Sequence, residues 1–262
     1  MAKNLLEKSI RPIIISGGGV VQSNTKIKTA RPITNLQLLA EKLQAPVLMS
    51  TNGRGSLSDD HPLALGAISY HQEIKTLIEE ADVILAVGTR LQVGPNARNL
   101  TNIKGKLIHA DIDDGVISRV HPATITILGD AHLTLSELNN AIETQTSANL
   151  ITHRNQWIQK VMTGRDVVKK RLRNQIGSDH AAIMDIIRNL SSPSTIIARD
   201  STVPTYLWGN QLLSIIEPKT SLHPTSGAIG PGLPFAIGAS ISINQHTVLI
   251  QGDGGFMLHL GE

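Results

Sequence analysis

The chain has 262 residues, of which 40% are hydrophobic and 17% charged, and its formal net charge is +3. A chain of this length predicts one or two domains, and its composition excludes wholesale disorder. Cysteine is absent, which excludes a disulfide scaffold, a thiolate nucleophile and a thiolate metal site. With two residues each of Trp, Tyr and Phe, the cores must be aliphatic, which suits buried parallel strands.

No uncharged apolar run approaches the ~20 residues that a membrane helix needs. The first ten residues contain Glu7 and lack a long apolar stretch, so we expect no secretory signal. The sequence therefore predicts a cytoplasmic protein.

Short apolar runs alternate with helical periodicity over the first half of the chain. The pattern predicts strands at 12–16, 46–49, 82–88, 106–112 and 123–128, and helices at 34–43, 72–80 and 131–142. Strands that alternate with helices indicate βαβ units and a mostly parallel sheet. We therefore expect an α/β domain over residues 1–145.

A polar stretch at 145–149 is the predicted linker, and the periodicity after it predicts a long helix over 151–176. This helix carries seven cations and one acid. A nucleic-acid contact would need aromatic side chains for stacking, and Trp157 alone is available. We interpret residues 146–177 as a linker and a solvated connecting helix.

Residues 178–262 are predicted to form a second α/β unit. The pattern indicates helices at 181–190, around 206–215 and at 233–243, with strands at 195–198 and 247–250. Two strands are few for an α/β domain, whose sheet usually has about five or six. We therefore expect this unit to be part of a domain.

Three consecutive glycines at 17–19 follow the first predicted strand. Glycines at such a place let the backbone approach a phosphate closely. However, Gln22 stands where a dinucleotide-binding fingerprint has its last glycine. A tight strand-to-helix turn is therefore the favoured interpretation.

Asp111, Asp113 and Asp114 form an acidic cluster at the end of another strand. Adjacent carboxylates on an extended chain point to opposite faces, so helix capping or a ribose contact is simpler than a metal site. His109 lies within the strand, and we expect it to be packed rather than liganding. Ser201 has no Gly-x-Ser-x-Gly around it, which disfavours a serine hydrolase.

The last predicted strand delivers Asp253 at its carboxyl end, flanked by Gly252, Gly254 and Gly255. In open α/β sheets, ligands bind beyond that end of the strands. A carboxylate oxygen suits Mg²⁺, and glycine amides beside it can hold phosphate oxygens that the ion bridges. Residues 227–234 (GAIGPGLP) give close backbone approach just before a helix.

These stretches make the chain resemble the thiamine-diphosphate enzymes of the acetolactate synthase, benzoylformate decarboxylase and pyruvate decarboxylase superfamily. Residues 252–254 resemble the start of its cofactor motif, residues 227–238 the segment beneath the cofactor rings, and residues 200–202 (DST) the diphosphate-side loop. Landmarks of the superfamily's central domain occur in order at 11–19, 60–62, 88–90 and 108–113. The resemblance implies a parallel-sheet, Rossmann-like central domain over 1–145 and a truncated α/β thiamine-diphosphate-binding domain over 178–262.

The resemblance also implies site roles. Asp253 would ligate Mg²⁺, and Gly254 and Gly255 would offer amides to the diphosphate. Ile229 matches the large apolar residue that supports the bent cofactor; it could also be a core residue, and both can hold at once. The carbonyl of Gly227 would accept a hydrogen bond from the aminopyrimidine amine. The remaining cofactor-binding positions are Ser201, Thr202 and Gly252.

The function implied is that of a thiamine-diphosphate- and Mg²⁺-dependent enzyme acting on 2-oxo acids, with acetolactate-synthase-like carboligation after decarboxylation. A benzoylformate-decarboxylase-like enzyme is the alternative, towards which residues 200–202 lean. A non-catalytic nucleotide-binding module is the alternative from another class. Neither nucleic acid nor membrane is an expected partner.

The superfamily's activating glutamate belongs to a pyrimidine-binding domain that would precede this sequence, and the asparagine of its metal site would follow it. We therefore expect a fragment with no catalytic residue of its own, inactive as the isolated chain. Its expected partner is a second copy or a chain that supplies the pyrimidine-binding domain.

Flavin is the remaining cofactor to consider. Arg90 and Asp111 stand at the landmarks where acetolactate synthases hold FAD, but residues 65–70 (LGAISY) lack the glycine-methionine-histidine-glycine loop of those enzymes. The expected cofactors are therefore thiamine diphosphate and Mg²⁺, with FAD possible but disfavoured.

Overall fold

The structure, a computed structural model, describes residues 1–23, 34–93, 98–99, 102–144, 147–243 and 245–262. In the first unit the helices are α1 (Ala2–Lys8), α2 (Gly18–Ser23), α3 (Asn35–Leu43), α4 (Gln72–Glu80) and α5 (Ala131–Ala141), with a 3₁₀ turn at Thr51–Gly53. The strands are β1 (Pro12–Ser16), β2 (Val47–Met49), β3 (Ala64–Gly66), β4 (Val83–Val87), β5 (Gln92–Val93), β6 (Arg98–Asn99), β7 (Lys106–Asp111) and β8 (Ile125–Leu128).

Six of these strands form a parallel sheet in the order β3-β2-β1-β4-β7-β8, and β5 and β6 form a separate antiparallel pair. The five predicted strands and three predicted helices of this unit are confirmed to within two residues. The prediction missed β3, because three residues that end in a glycine give no periodicity to detect.

Helices cover both faces of the six-stranded sheet. Side chains alternate along β1, so that Ile14 packs with α3 and α5 while Ile13 and Ile15 face α4 and the long helix that follows. The expectation of aliphatic cores is confirmed, since the buried aromatic side chains among the described residues are Trp157 and Trp208.

Helix α6 (Ala148–Gln175) packs along the first unit, so the prediction of a solvated connecting helix is wrong. Arg154 is buried and donates to the carbonyls of Leu6 (2.8 Å) and Ser9 (2.9 Å), where α1 ends and its carbonyls need partners. Arg171 pairs with Glu73 and Lys160 with Glu80, both on α4. These three of the seven cations of α6 are therefore matched by backbone carbonyls of the first unit or by acidic side chains of α4. Part of the predicted linker, residues 145 and 146, lies outside the described residues.

The second unit contains α7 (Gly177–Leu190), β9 (Ile196–Arg199), a π-helix (Thr205–Gly209), β10 (Ser221–Leu222), α8 (Gly232–Ile243), β11 (Thr247–Ile250) and α9 (Asp253–Met257). Its strands form a parallel sheet in the order β10-β9-β11. Both predicted strands are present, β10 is additional, and the chain is a mostly parallel α/β protein throughout.

The helix predicted around 206–215 is wrong, because the chain forms one π-helical turn there and then unwinds. The Trp208 carbonyl accepts from the amides of residues 211, 212 and 213, and the carbonyls of Gly209 and Leu213 accept from Arg54 of the first unit. Tertiary partners thus replace the hydrogen bonds that a continuing helix would need.

Within the described ranges, no helix combines the length and the apolar character needed to cross a membrane.

Candidate functional site

Three loops leave the same edge of the three-stranded sheet. Because β9, β10 and β11 are parallel, with Arg199 opposite Ile250, their carboxyl ends lie side by side. Residues 200–202, 223–231 and 251–255 follow these three strands. The structure thus brings the sequence motifs at 200–202, 227–230 and 252–255 together at the edge where ligands bind in open α/β sheets.

Asp200 joins the three loops. Its side chain is fully buried, and its two carboxylate oxygens lie 3.0 and 2.8 Å from the amide nitrogen of Gly230. The Gln251 side-chain amide also donates to Asp200 Oδ2, at 3.0 Å. Sequence reasoning used Asp200 only as part of a motif, although an acid directly after a buried strand was the signal of its importance.

Glycines around Asp200 are required by close packing. A Cβ at Gly255 would lie 2.2 Å from Asp200 Oδ2, and one at Gly232 would lie 2.7 Å from Asp200 Cβ. At Gly252 a Cβ would meet Thr202 Oγ1 at 3.0 Å, whereas Gly254 has nothing within 4 Å. Gly254 therefore leaves open space next to Asp253.

Asp253 is the first residue of α9, and its side chain is exposed. Among the described residues its carboxylate has no hydrogen-bond or ion-pair partner. No group of three or more His, Asp or Glu side chains in the described part of the chain is placed to hold a metal ion. These residues alone thus offer one free carboxylate to a cation that other ligands would have to complete.

Ile229 and Gly227 also face open space. The side chain of Ile229 is 58% exposed, so the alternative that it is a core residue is wrong. Gly227 has φ 71° and nothing within 4 Å of a Cβ built on it, and Gly230 has φ 112°. This left-handed backbone favours glycine and leaves an apolar side chain unpartnered above the site.

Ser201 and Thr202 lie beside the π-helix. The Tyr206 hydroxyl donates to Ser201 Oγ at 3.1 Å, and the Tyr206 amide donates to the Thr202 carbonyl at 3.2 Å. His223, which sequence reasoning missed, follows β10 and has its ring edge-on to Tyr206 at 6.5 Å. Burial, followed by the charge of Arg199, lowers the pKa of His223 to about 4, so its imidazole is neutral at neutral pH.

Two buried arginines, one from each unit, meet at the end of the π-helix. Arg54 is buried and donates to Asp59 Oδ2 (2.8 Å), to the Gly209 carbonyl (2.7 Å) and to the Leu213 carbonyl. Arg199 of β9 donates to the same Gly209 carbonyl at 2.8 Å. Burial and the neighbouring Arg54 charge lower the pKa of Arg199. The end of the π-helix is therefore held from both units.

In the first unit the glycines at 17–19 form a tight turn into α2, as predicted. A Cβ at Gly17 would lie 2.0 Å from the Gly88 carbonyl oxygen, and one at Gly19 would lie 2.8 Å from Gly88 Cα. Backbone packing between the turns after β1 and β4 accounts for these glycines without a ligand.

The acidic cluster after β7 stabilises turns. Asp111 Oδ1 accepts from the Asp113 amide at 3.0 Å, and Asp113 Oδ1 accepts from the Gly115 amide at 2.9 Å. No helix begins there among the described residues, so the helix-capping interpretation is wrong. His109 is buried and its Nε2 lies 2.9 Å from the Thr89 carbonyl oxygen, which confirms that it is packed.

The sequence matches two known protein domains. The thiamine pyrophosphate enzyme central domain matches residues 1–138, and the C-terminal TPP-binding domain of the same enzymes matches residues 204–262. The second match contains the 227–238 and 252–255 segments and begins just after Thr202.

Curated relatives match along essentially the whole chain. A probable 2-ketoarginine decarboxylase of Pseudomonas aeruginosa is 32% identical over 98% of this chain and 43% of the relative. A probable acetolactate synthase large subunit of Methanocaldococcus jannaschii is 30% identical over 100% of this chain and 44% of the relative. The large subunit of acetolactate synthase isozyme 1 of Escherichia coli is 27% identical over the same shares.

The chain thus spans less than half the length of these relatives. Both family matches fall on the two units that the structure shows, and the second includes the sheet edge at which the glycine-rich loops meet. The chain belongs to the thiamine pyrophosphate enzyme family, of which it covers the central domain and part of the C-terminal cofactor-binding domain.

Proposed function

We propose that this chain is part of a thiamine-diphosphate- and Mg²⁺-dependent enzyme that acts on 2-oxo acids, with acetolactate-synthase-like carboligation after decarboxylation. The observation that carries the proposal is the junction at Asp200, which ties Gly230 and Gln251 to the end of β9. The free carboxylate of Asp253 and the open backbone at Gly254 follow directly after Gln251, and the match to a TPP-binding domain over these residues supports the proposal.

The residues present fit a diphosphate with its cation. Asp253 offers a hard oxygen ligand to Mg²⁺, and the backbone at 254–255 offers amides to phosphate oxygens. Ser201 and Thr202 add hydroxyls, of which that of Thr202 lies next to Gly252, while Ile229 gives an apolar contact for a ring and Gly227 gives a carbonyl. The cofactor, once bound, supplies the carbanion chemistry, and these residues bind and orient it.

A 2-oxo acid decarboxylase is the second candidate, because the relative at 32% identity is named as a probable 2-ketoarginine decarboxylase. The proposal also includes a 2-oxo acid as substrate, a cytoplasmic location and domain boundaries at 145 and 177.

We propose further that the working enzyme is an oligomer or includes a partner chain that supplies the pyrimidine-binding domain and the activating acid. The relatives are more than twice as long as this chain. The second unit also exposes large apolar side chains that association would cover, namely Phe235, Ile241, Ile243, Phe256, Met257 and Leu258. Turnover of a 2-oxo acid by the purified chain alone would contradict this part of the proposal.

The cofactor site is tested by thermal melting of the chain with thiamine diphosphate and Mg²⁺. We expect the melting temperature to rise with both together and the rise to vanish in Asp253→Ala, because a ligand that binds only the folded state stabilises it. Asp179→Ala is the matched control, since Asp179 is also an exposed aspartate in the first turn of a helix.

A rise that persists in Asp253→Ala would contradict the metal assignment. A rise with ADP or FAD and none with thiamine diphosphate would favour the nucleotide-binding module instead.

A further inference from the structure

Three hydrogen bonds, linked through Gln211 and Tyr206, connect the first unit to the sheet edge of the second unit at which the cofactor is proposed to bind. His71, the residue before α4, has its Nε2 2.7 Å from Gln211 Oε1, across the boundary between the units. The Gln211 amide donates to the Tyr206 carbonyl at 2.8 Å. The hydroxyl of Tyr206 then donates to Ser201 Oγ at 3.1 Å.

In each of these hydrogen bonds, the neighbouring group determines which atom donates and which accepts. The Tyr206 carbonyl accepts from the Gln211 nitrogen, so the Gln211 oxygen faces His71 and needs a donor there. On the other side of the ring, Arg171 Nη2 lies 3.3 Å from His71 Nδ1 and donates to it. A neutral imidazole with its proton on Nε2 satisfies both neighbours at once.

The π-helix that these bonds hold is a rare backbone form that occurs frequently at functional sites, and its carbonyls accept from Arg54, Arg199 and Gln211. Gln211 is buried just after the π-helix, and Tyr206 lies within it. A change at His71 therefore reaches Ser201 through a short segment whose conformation is set by its contacts.

We propose that His71 is a positioning residue for the cofactor site: by orienting Gln211 against the Tyr206 carbonyl, it fixes the Tyr206 hydroxyl on Ser201. The importance of Ser201 rests on the proposed function. The coupling from His71 to Tyr206 does not, and it can be measured without any cofactor.

The proposal predicts a dependence on pH. Protonation would add a hydrogen at Nδ1, facing the Arg171 guanidinium, and would break that bond. The charged groups around the ring are Arg171 from α6 and Glu73 and Lys75 from α4, while the Tyr70 ring stacks at 4.5 Å. Burial lowers the pKa of His71 below its usual 6.5, so the neutral ring that bonds both Arg171 and Gln211 is present at neutral pH. As the pH falls through this lowered pKa, the Arg171 bond is lost and the charged ring shifts away from the guanidinium against Gln211.

Fluorine NMR tests the coupling directly. The chain contains two tyrosines, so 3-fluorotyrosine labelling gives two resonances, which Tyr70→Phe assigns. As the pH falls from 8 through the lowered pKa of His71, we expect the Tyr206 resonance to move in the wild-type chain. The movement should be lost in His71→Gln, whose amide can still donate to Gln211 but does not titrate. It should remain in His153→Ala, an exposed histidine on α6.

Calorimetric titration with thiamine diphosphate and Mg²⁺ tests the consequence for the site. We expect His71→Ala to weaken binding about five-fold at pH 7.5, as the loss of one neutral hydrogen bond would. His71→Gln should restore most of the affinity and remove its decline as the pH falls through the pKa of His71. If His71 only stabilised the fold, its variants would change the melting temperature, but affinity would not be lost in His71→Ala and regained in His71→Gln.

A Tyr206 resonance that titrates identically in wild-type and His71→Gln chains would overturn the proposal, and so would unchanged affinity in His71→Ala. Absence of binding by the wild-type chain would count against the proposed function instead. In that case the fluorine measurement alone decides for or against the coupling.

Discussion

Replacement of Gly255 by alanine tests whether the junction at Asp200 is as tight as the structure shows. The new Cβ would lie 2.2 Å from Asp200 Oδ2 and 3.2 Å from the Gln251 side-chain nitrogen. The carboxylate must therefore move by about 1 Å to reach an ordinary contact distance. It is held by the Gly230 amide and by Gln251, so that movement breaks hydrogen bonds to a buried charge.

The magnitude follows from these contacts. Overpacking in a dense region costs about 1–3 kcal/mol, and a hydrogen bond to a charged group contributes about 1.5–3 kcal/mol. We expect Gly255→Ala to lower the free energy of unfolding of the second unit by about 2–4 kcal/mol. Urea denaturation followed by Trp208 fluorescence in a Trp157→Phe background reports on this unit, since Trp208 is buried within it.

Gly254→Ala is the matched control, because the neighbouring glycine has nothing within 4 Å of its Cβ. Its free energy of unfolding should stay unchanged or rise slightly, as expected for alanine in a helix. Equal losses in the two variants would refute the reasoning, because they would show that Asp200 does not fill the space beside Gly255.

Two further predictions concern the buried charges. Arg54→Met should lower the free energy of unfolding by about 3–5 kcal/mol, because it leaves Asp59 buried without its cation. Arg173 is the control, since its ion pair is exposed, and Arg173→Met should show a much smaller loss in the same urea titration. Equal losses would contradict the role of Arg54 between the units. The pKa of His223 is about 4 in the folded chain, so its contribution to stability is complete above pH 6.5 and is lost as the pH falls towards 4. The melting temperature of His223→Asn should therefore decline less than that of the wild type over this range, and parallel declines would contradict the burial of this imidazole.

Much of the fold could be predicted because its elements are buried in regular patterns. β1 and β4 are continuous apolar runs, and the spacing of Leu36, Leu39 and Leu43 marks the buried side of α3. The predictions that failed concern segments whose conformation or environment is determined by tertiary contacts. The basic residues of α6 were interpreted as solvated because their partners, such as Glu73 for Arg171, lie 98 positions away.

The location of the candidate site could be predicted from the sequence, but the contacts that form it could not. Glycines beside Asp253 and before α8 pointed to the correct sheet edge, because carboxyl ends of parallel strands share it. The central place of Asp200 and the bond between His71 and Gln211 could not be predicted. These contacts join loops and units that no local pattern relates, and the His71–Gln211 pair is separated by 140 positions.

The most direct test of the account is calorimetric titration of the chain with thiamine diphosphate, with and without Mg²⁺. We predict saturable binding that requires Mg²⁺ and is abolished in Asp253→Ala while Asp179→Ala binds as the wild type does. Binding that is equally strong without Mg²⁺ or in Asp253→Ala, or no binding under any of these conditions, would contradict the claim that this sheet edge holds the cofactor.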